Sequence, residues 1–355
     1  MTASIRKDFS SDNITGVAPE ILAALTAASA GTMHSYGADP VTERLRARAD
    51  TLFECPVTLV PVATGTAANA IALSALARPW QAVYCPASAH VNTDECGAPE
   101  FFSGGAKLLG LPTLDGRLVP GQLTEAVAFA RSMGVHHVEP AAVTLSQATE
   151  WGTIYDLDWL RRLCDEAHGL GLRVHVDGAR FANALARLGC SAADATWRAG
   201  VDALSFGATK NGALAAEAII VFDPSLATEL EYRRKRSGHL WSKHRFLSAQ
   251  LLAYLEDDLW LRHARRANAT ADRLAAGLAA IDGAACLQSV DANELFVRLP
   301  AAVIGGLRAD GFEFYDWPAP SGTEGPVVRL VTSWDMDDAD IDRFVACALR
   351  AARLD

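Results

Sequence analysis

Between Thr58 and Phe222 short apolar runs alternate with amphipathic stretches, and no other feature restricts the fold of this chain as much. The runs Thr58–Val62, Ala82–Cys85, Lys107–Leu111, Ala142–Leu145, Arg173–Val176, Ala203–Phe206 and Ala218–Phe222 are too short for helices, and several are rich in Val and Ile. They therefore predict buried strands. Around them Pro40–Glu54, Thr66–Ala77, Pro120–Ser132, Asp156–Gly169 and Ala179–Leu188 have helical spacing. Pro19 and Pro40 stand where a first helical turn tolerates proline, Asp156 suits an N-cap, and Gly169 and Gly189 suit helix stops. Strands and helices in this order predict an α/β unit on a mostly parallel sheet.

After Pro224 the pattern changes. A long helical stretch from about Ser248 to Ala280 is followed by strand-like Glu294–Arg298, helical Ala301–Ala309, strand-like Gly311–Tyr315 and Val327–Thr332, and a last helix near Asp337–Arg353. This predicts a smaller α+β unit, with a large unit over 1–247, a small one over 248–355, and a long helix between them. A chain of 355 residues, half of them apolar, can bury cores of that size.

Several function classes are disfavoured. The net charge of −10 opposes nucleic-acid binding through a basic face. The one basic cluster, Tyr232–Arg236, is short and fits a solvated helix end equally well. No apolar run is long enough for a membrane span, and Met1–Asp12 has no apolar leader core. The seven cysteines are scattered and form no CxxC, so neither disulfides nor a zinc framework are expected, and a reducing cytoplasm fits best.

Five short segments carry possible chemistry. Lys210 ends a buried strand inside Ser205-Phe206-Gly207-Ala208-Thr209-Lys210-Asn211-Gly212; it is a candidate Schiff-base nucleophile, or simply a lysine that reaches water. Asp177 follows the strand Val174-His175-Val176. It could cap a helix, or face a pyridine nitrogen and keep it protonated. Ala63-Thr64-Gly65-Thr66-Ala67-Ala68-Asn69 is a small-residue turn before a helix, where backbone N–H groups can approach a phosphate. His90 follows the strand near Cys85 and suits proton handling near neutral pH. Arg329 interrupts the apolar run Val327–Thr332, where a guanidinium calls for a carboxylate, either a substrate's or the protein's own.

Each segment alone is ambiguous; the order phosphate turn, His, Asp, Lys, Arg is less so. With Ser11-Asp12-Asn13, Asp94-Glu95-Cys96-Gly97-Ala98 and Gly178-Ala179-Arg180, the chain resembles the low-specificity L-threonine aldolases of the β-eliminating lyase family over nearly its whole length. The resemblance implies fold-type I of the pyridoxal-phosphate (PLP) enzymes, an aspartate aminotransferase-like large domain with a smaller C-terminal domain. It also implies that Lys210 holds the cofactor, Asp177 pairs with its ring nitrogen, Gly65 and Thr66 bind its phosphate, and His90 stacks on its ring. Arg180 would sit near the cofactor O3′ and the substrate carboxylate, Ser11 and Arg329 would bind that carboxylate, and His136 would assist His90 near the substrate hydroxyl. Lys243 would reach the phosphate of a neighbouring subunit in a homotetramer built as a dimer of dimers. The implied reaction is retro-aldol cleavage of L-threonine or L-allo-threonine to glycine and acetaldehyde. A preference for bulkier substrates such as phenylserine, β-elimination or transamination on the same fold, and a non-catalytic scaffold that keeps the fold remain the alternatives.

Overall fold

Seven strands form one sheet: β1 (Thr58–Val62), β2 (Gln81–Pro86), β3 (Lys107–Leu111), β4 (Glu139–Ser146), β5 (Arg173–Gly178), β6 (Ala203–Gly207) and β7 (Glu217–Val221). The computed structural model describes residues 7–319 and 322–353, so the leader reading of the first six residues lies outside the described residues. The strand order is β1-β7-β6-β5-β4-β2-β3. Strands β2 to β6 run parallel, and β7 is antiparallel to both β6 and β1. The predicted α/β unit is thus present, with each expected strand in place. Helices such as Gly65–Leu76 and Leu157–Gly169 cover the sheet, which is why its central strands are mostly apolar and buried on both faces.

The register brings the ends of several strands together. Ser146 lies opposite Asp177, Gly178 opposite Phe206, and Gly207 opposite Glu217. Two glycines permit this closeness. A Cβ on Gly207 would sit 2.5 Å from the Ala179 carbonyl oxygen, and one on Gly178 would sit 2.7 Å from that of Ser205. The carboxyl ends of β4, β5 and β6 therefore form one crevice, the usual ligand position in such sheets.

A second, antiparallel sheet contains β8 (Ala285–Cys286), β9 (Glu294–Arg298), β10 (Tyr315–Trp317) and β11 (Val327–Val331), in the order β10-β11-β9-β8. It has its own core with helices Ala301–Ala309 and Asp338–Ala352, including Val297, Leu307, Leu330 and Phe344. Phe9, near the start of the chain, lies in this core, 4.7 Å from Phe344 by ring centroids.

Two expectations need correction. The long helix expected over Ser248–Ala280 is two helices, Arg245–Leu255 and Leu259–Leu278. The break is at Glu256-Asp257-Asp258, where Asp257 and Asp258 take positive φ of 50° and 53°; aspartate tolerates that region better than most residues. Helix Arg245–Leu255, expected in the smaller unit, packs through Leu247, Leu251 and Leu255 into the large core. Helix Leu259–Leu278 does bridge: Leu259, Trp260 and Ala264 join the first core, and Ala271, Leu274 and Leu278 the second.

The strand expected at Gly311–Tyr315 begins only at Tyr315. Phe312 and Phe314 are buried, which produced the alternation. The backbone there pairs instead with the N-terminal segment, through Asp8 and Glu313 and a 2.8 Å hydrogen bond from Phe9 N–H to the Glu313 carbonyl.

Candidate active site

The crevice holds a cavity of about 360 Å³, lined among others by Gly65, Thr66, His90, Asp177, Arg180 and Lys210. These residues come from four separate stretches of sequence. Lys210 sits on a short 3₁₀ turn after β6 and is half-buried. Its neighbour Asn211 anchors that turn, donating to the Tyr254 hydroxyl at 2.7 Å and to the Trp260 carbonyl at 2.8 Å. Glu217, returned by the β6–β7 hairpin, accepts the Ala208 N–H at 3.0 Å and the Thr209 N–H at 3.4 Å. Burial pushes the Glu217 carboxyl up to about 7 against these hydrogen bonds and the Lys210 charge.

Asp177 ends β5 without capping a helix; the next helix, Phe181–Leu188, has Arg180 at its N-cap position. Its carboxylate accepts the Ala179 N–H at 3.0 Å and the Asn69 amide at 2.8 Å. Behind it, His175 is fully buried between Thr144 Oγ1 at 2.8 Å and Ser205 Oγ at 3.0 Å. Burial lowers its pKa to about 4 although Asp177 opposes this, so His175 is a neutral spacer.

The turn at Gly65 starts helix Gly65–Leu76, with Thr64 as N-cap accepting the Ala67 N–H at 3.1 Å. A Cβ at Gly65 would meet nothing within 4 Å, so there is open space before a helix N-terminus, suited to an anion. His239 closes one side, its Nδ1 accepting the Ala63 N–H at 3.4 Å; burial lowers its pKa, consistent with a neutral acceptor.

Arg180 is almost fully enclosed. It donates to Asp12 at 2.8 and 3.0 Å and lies 2.9 Å from Glu294. Burial disfavours its charge, but Asp12 and Glu294 outweigh that and hold its pKa above the usual value. Asp12 is likewise kept below the usual carboxylate range: burial works against this, and Arg180, then Lys210, overcome it. Arg329 is adjacent, donating to the Ser10 carbonyl at 2.9 Å, 4.0 Å from Glu294, and packed over Trp317 and Tyr315. Its Nε is buried with no hydrogen-bond partner among the described residues. Ser11, one residue on from that carbonyl, uses its hydroxyl to accept the Asn13 N–H.

Not every expected residue meets the cavity. His136 is exposed on the turn before β4. The cavity is at the other end of that eight-residue strand, roughly 23 Å away at about 3.3 Å per residue. The structure therefore does not bring His136 to the site of its own chain; its place just ahead of an apolar strand puts it at the amino end, away from the carboxyl ends that form the crevice. Lys243 is exposed and outside the cavity, on the loop that also carries His239. Missed from sequence were Asn69, Glu95, Glu150 and Glu217 in the cavity wall, and Asp12 and Glu294 around Arg180. Glu294 and Glu217 each open an apolar strand, and a carboxylate there was the available signal.

The lining fits PLP. A lysine supplies the amine for its aldehyde, an aspartate held by hydrogen bonds the acceptor for its protonated ring nitrogen, and an open helix N-terminus the donors for its phosphate. Buried oxygens without partners, Asn69 Oδ1, Glu95 Oε2 and Glu150 Oε2, also occur on residues lining the space.

The sheet order and the lysine after β6 define fold-type I, the architecture of PLP-dependent enzymes. Residues 8–302 match the model of the β-eliminating lyase family, and the chain belongs to that family. It is 43% identical to a low specificity L-threonine aldolase of Pseudomonas sp. (strain NCIMB 10558), over 97% of each chain. It is 44% identical to that of Pseudomonas aeruginosa, over 93% of this chain and 94% of the other. The structure of Leishmania major threonine aldolase superposes with a TM-score of 0.91 at 30% identity, covering 98% of this chain and all of that one. Among the described residues no helix is long and apolar enough to cross a membrane, and no group of three or more His, Cys, Asp or Glu side chains could hold a metal ion.

Proposed function

We propose that this protein is a PLP-dependent aldolase that cleaves L-threonine and L-allo-threonine to glycine and acetaldehyde. The convergence of Lys210, Asp177, Gly65–Thr66, His90 and Arg180 on one cavity carries the reading, and the similarity to the Pseudomonas enzymes supports it. Lys210 would hold PLP covalently, Asp177 would pair with the ring nitrogen, and the N–H groups of Gly65 and Thr66 would take the phosphate. When bound, PLP supplies the electron sink for the carbanion left as the Cα–Cβ bond breaks.

The protein's own residues do the rest. Arg180, which lines the cavity, binds the substrate carboxylate, with Arg329 and Ser11 beside it. A fixed carboxylate orients the bond to be broken, and orientation supplies much of the rate. His90 accepts the β-hydroxyl proton at Nε2, the aldehyde departs, and glycine remains after protonation at Cα.

Subunit assembly belongs to the same proposal: a homotetramer, as a dimer of dimers, with Lys243 reaching a neighbour's phosphate. In support, exposed Phe101, Phe102 and Tyr232 flank a broad surface depression with Arg233 and Arg236, a composition suited to an interface. The cysteines are free thiols, which fits the cytoplasm.

The deciding experiment incubates the PLP-loaded protein with L-threonine. Acetaldehyde and glycine in equal amounts are expected; ammonia with a keto acid would assign another reaction. Lys210→Ala should abolish both turnover and the visible absorbance of covalently held cofactor. Retention of that absorbance by the variant would remove Lys210 from its role.

A further inference from the structure

His90 is held from two sides by buried carboxyls. Its ring Nδ1 lies 2.9 Å from Glu95 Oε1, and its backbone N–H donates to Glu150 Oε1 at 2.8 Å. The Glu95 side chain is fully buried, while that of His90 is 42% exposed and lines the cavity. Glu95 Oε1 also accepts from Asn69 Nδ2 at 2.8 Å, and the same nitrogen donates to Asp177 at 2.8 Å. One amide thus joins the carboxyl behind the histidine to the carboxylate at the end of β5. The second Glu95 oxygen is buried with no hydrogen-bond partner among the described residues. An enclosed carboxylate so sparsely compensated is costly unless an N–H donor or a cation faces it; the imidazole is that group.

We infer that Glu95 is a positioning residue for the base: it accepts the Nδ1 proton of His90, leaves Nε2 as the atom that takes the β-hydroxyl proton, and stabilises the imidazolium formed when it does. This rests on the assignment of His90 as the base. The assignment of Nδ1–H to Glu95 follows from the pairing, since a carboxylate can only accept. Among the described residues neither His90 nor Glu95 is joined to a solvent-exposed cation that would serve instead; the charges around the ring are Glu95, Asp177 and Lys210, with Glu150 on the backbone. The Glu95 hydrogen bond, opposed by burial, raises the His90 pKa above its ordinary 6.5; Asp177 adds to this and Lys210 opposes it.

The sign of the effect follows. His90 must be neutral to accept a proton, so kcat/KM falls on the acid side of its pKa. Removing the Glu95 charge lowers that pKa and moves the acid limb to lower pH. Glu95→Gln also offers Nδ1 an amide donor, favouring the tautomer with its proton on Nε2, where it cannot act as base.

The test compares PLP-loaded wild type, Glu95→Gln and His90→Asn, following acetaldehyde release from L-threonine from about pH 5 to about pH 9. Glu95→Gln should bind PLP with wild-type absorbance, lose about 10- to 100-fold in plateau kcat/KM, and shift its acid limb down by about one pH unit. An inactive His90→Asn beside a Glu95→Gln whose limb has not moved overturns the role of Glu95 alone. A fully active His90→Asn removes His90 as the base, and the inference with it. Should Glu95→Gln fail to take up PLP, Glu95→Asp replaces it: withdrawing the carboxylate by one methylene should move the limb down by about half as much, and an unmoved limb overturns the proposal.

Discussion

A lysine at a strand end costs little if it merely reaches solvent, so Lys210 on its own announces nothing. Its surroundings differ from that case in a way that can be measured. Glu217, accepting the N–H groups that lead into Lys210, has its carboxyl pushed to about 7 by burial, from an ordinary 4.5. Between those values the folded protein holds a proton that the unfolded chain has released. A raised carboxyl pKa contributes stability that is complete below about 4.5 and is lost as pH rises through about 7. Glu217→Gln removes that contribution, so the thermal midpoint of the cofactor-free variant should fall less steeply between these pH values than that of wild type. Parallel midpoint curves for the two proteins would show that Glu217 is ionised throughout. At the carboxylate end of the site, Arg329→Ala should raise KM for L-threonine with a smaller effect on kcat, as loss of uniform binding does; an unchanged KM in steady-state assays would count against it. Lys210, Asp177 and Arg329 were legible because each interrupts or ends an apolar run. Asn69 and Glu150 were not, because a polar residue beside a helix start or a loop is ordinary until the fold shows it buried against Asp177 or His90.

Among the elements, legibility followed burial. Strands β4 to β7, buried on both faces, are mostly apolar and could be read from their short runs of Ala, Val, Leu and Ile. The break at Glu256–Asp258 was hidden, since acidic residues are acceptable inside an exposed helix and nothing local required two aspartates in the left-handed region. The segment at Phe312 and Phe314 misled for the opposite reason: its alternation is real, but its pairing partner lies at Asp8–Phe9, which no local pattern shows. The approach of β6 to the turn after β5 depends on Gly207, where a methyl group would lie 2.5 Å from the Ala179 carbonyl and 2.7 Å from its Cα. These are backbone atoms and cannot move aside without displacing Asp177 relative to Lys210. Gly207→Ala should therefore weaken PLP binding by about tenfold or more, measured by spectroscopic titration, even where the far-ultraviolet spectrum stays native. Wild-type affinity in this variant would mean that the two strand ends have slack.

At the scale of the molecule, the site closes across two cores. Arg180 belongs to the large unit, Glu294 to the smaller sheet, and Asp12 to an N-terminal segment anchored in the smaller core by Phe9. Asn293 adds a 3.0 Å hydrogen bond to Asp12 and another of 2.7 Å to the Thr332 carbonyl, tying the acid to the segment after β11. The Asp12–Arg180 partners are 168 residues apart in sequence, which is why a motif quoted for its resemblance gave no sign of this contact. A buried ion pair holds two units in one geometry because breaking it strands a charge away from water. Asp12→Asn preserves shape and removes the charge, leaving Arg180 with Glu294 as its close carboxylate partner. The loss should be about 3 kcal/mol, seen as a lower thermal midpoint in the PLP-loaded and cofactor-free proteins alike. Because Arg180 also lines the cavity, KM for L-threonine should rise by about tenfold, while the absorbance of bound PLP stays unchanged, since Lys210 and Asp177 are held by other partners. A midpoint within about 1 °C of wild type together with an unchanged KM would show that Asp12 neither joins the two units nor aims Arg180.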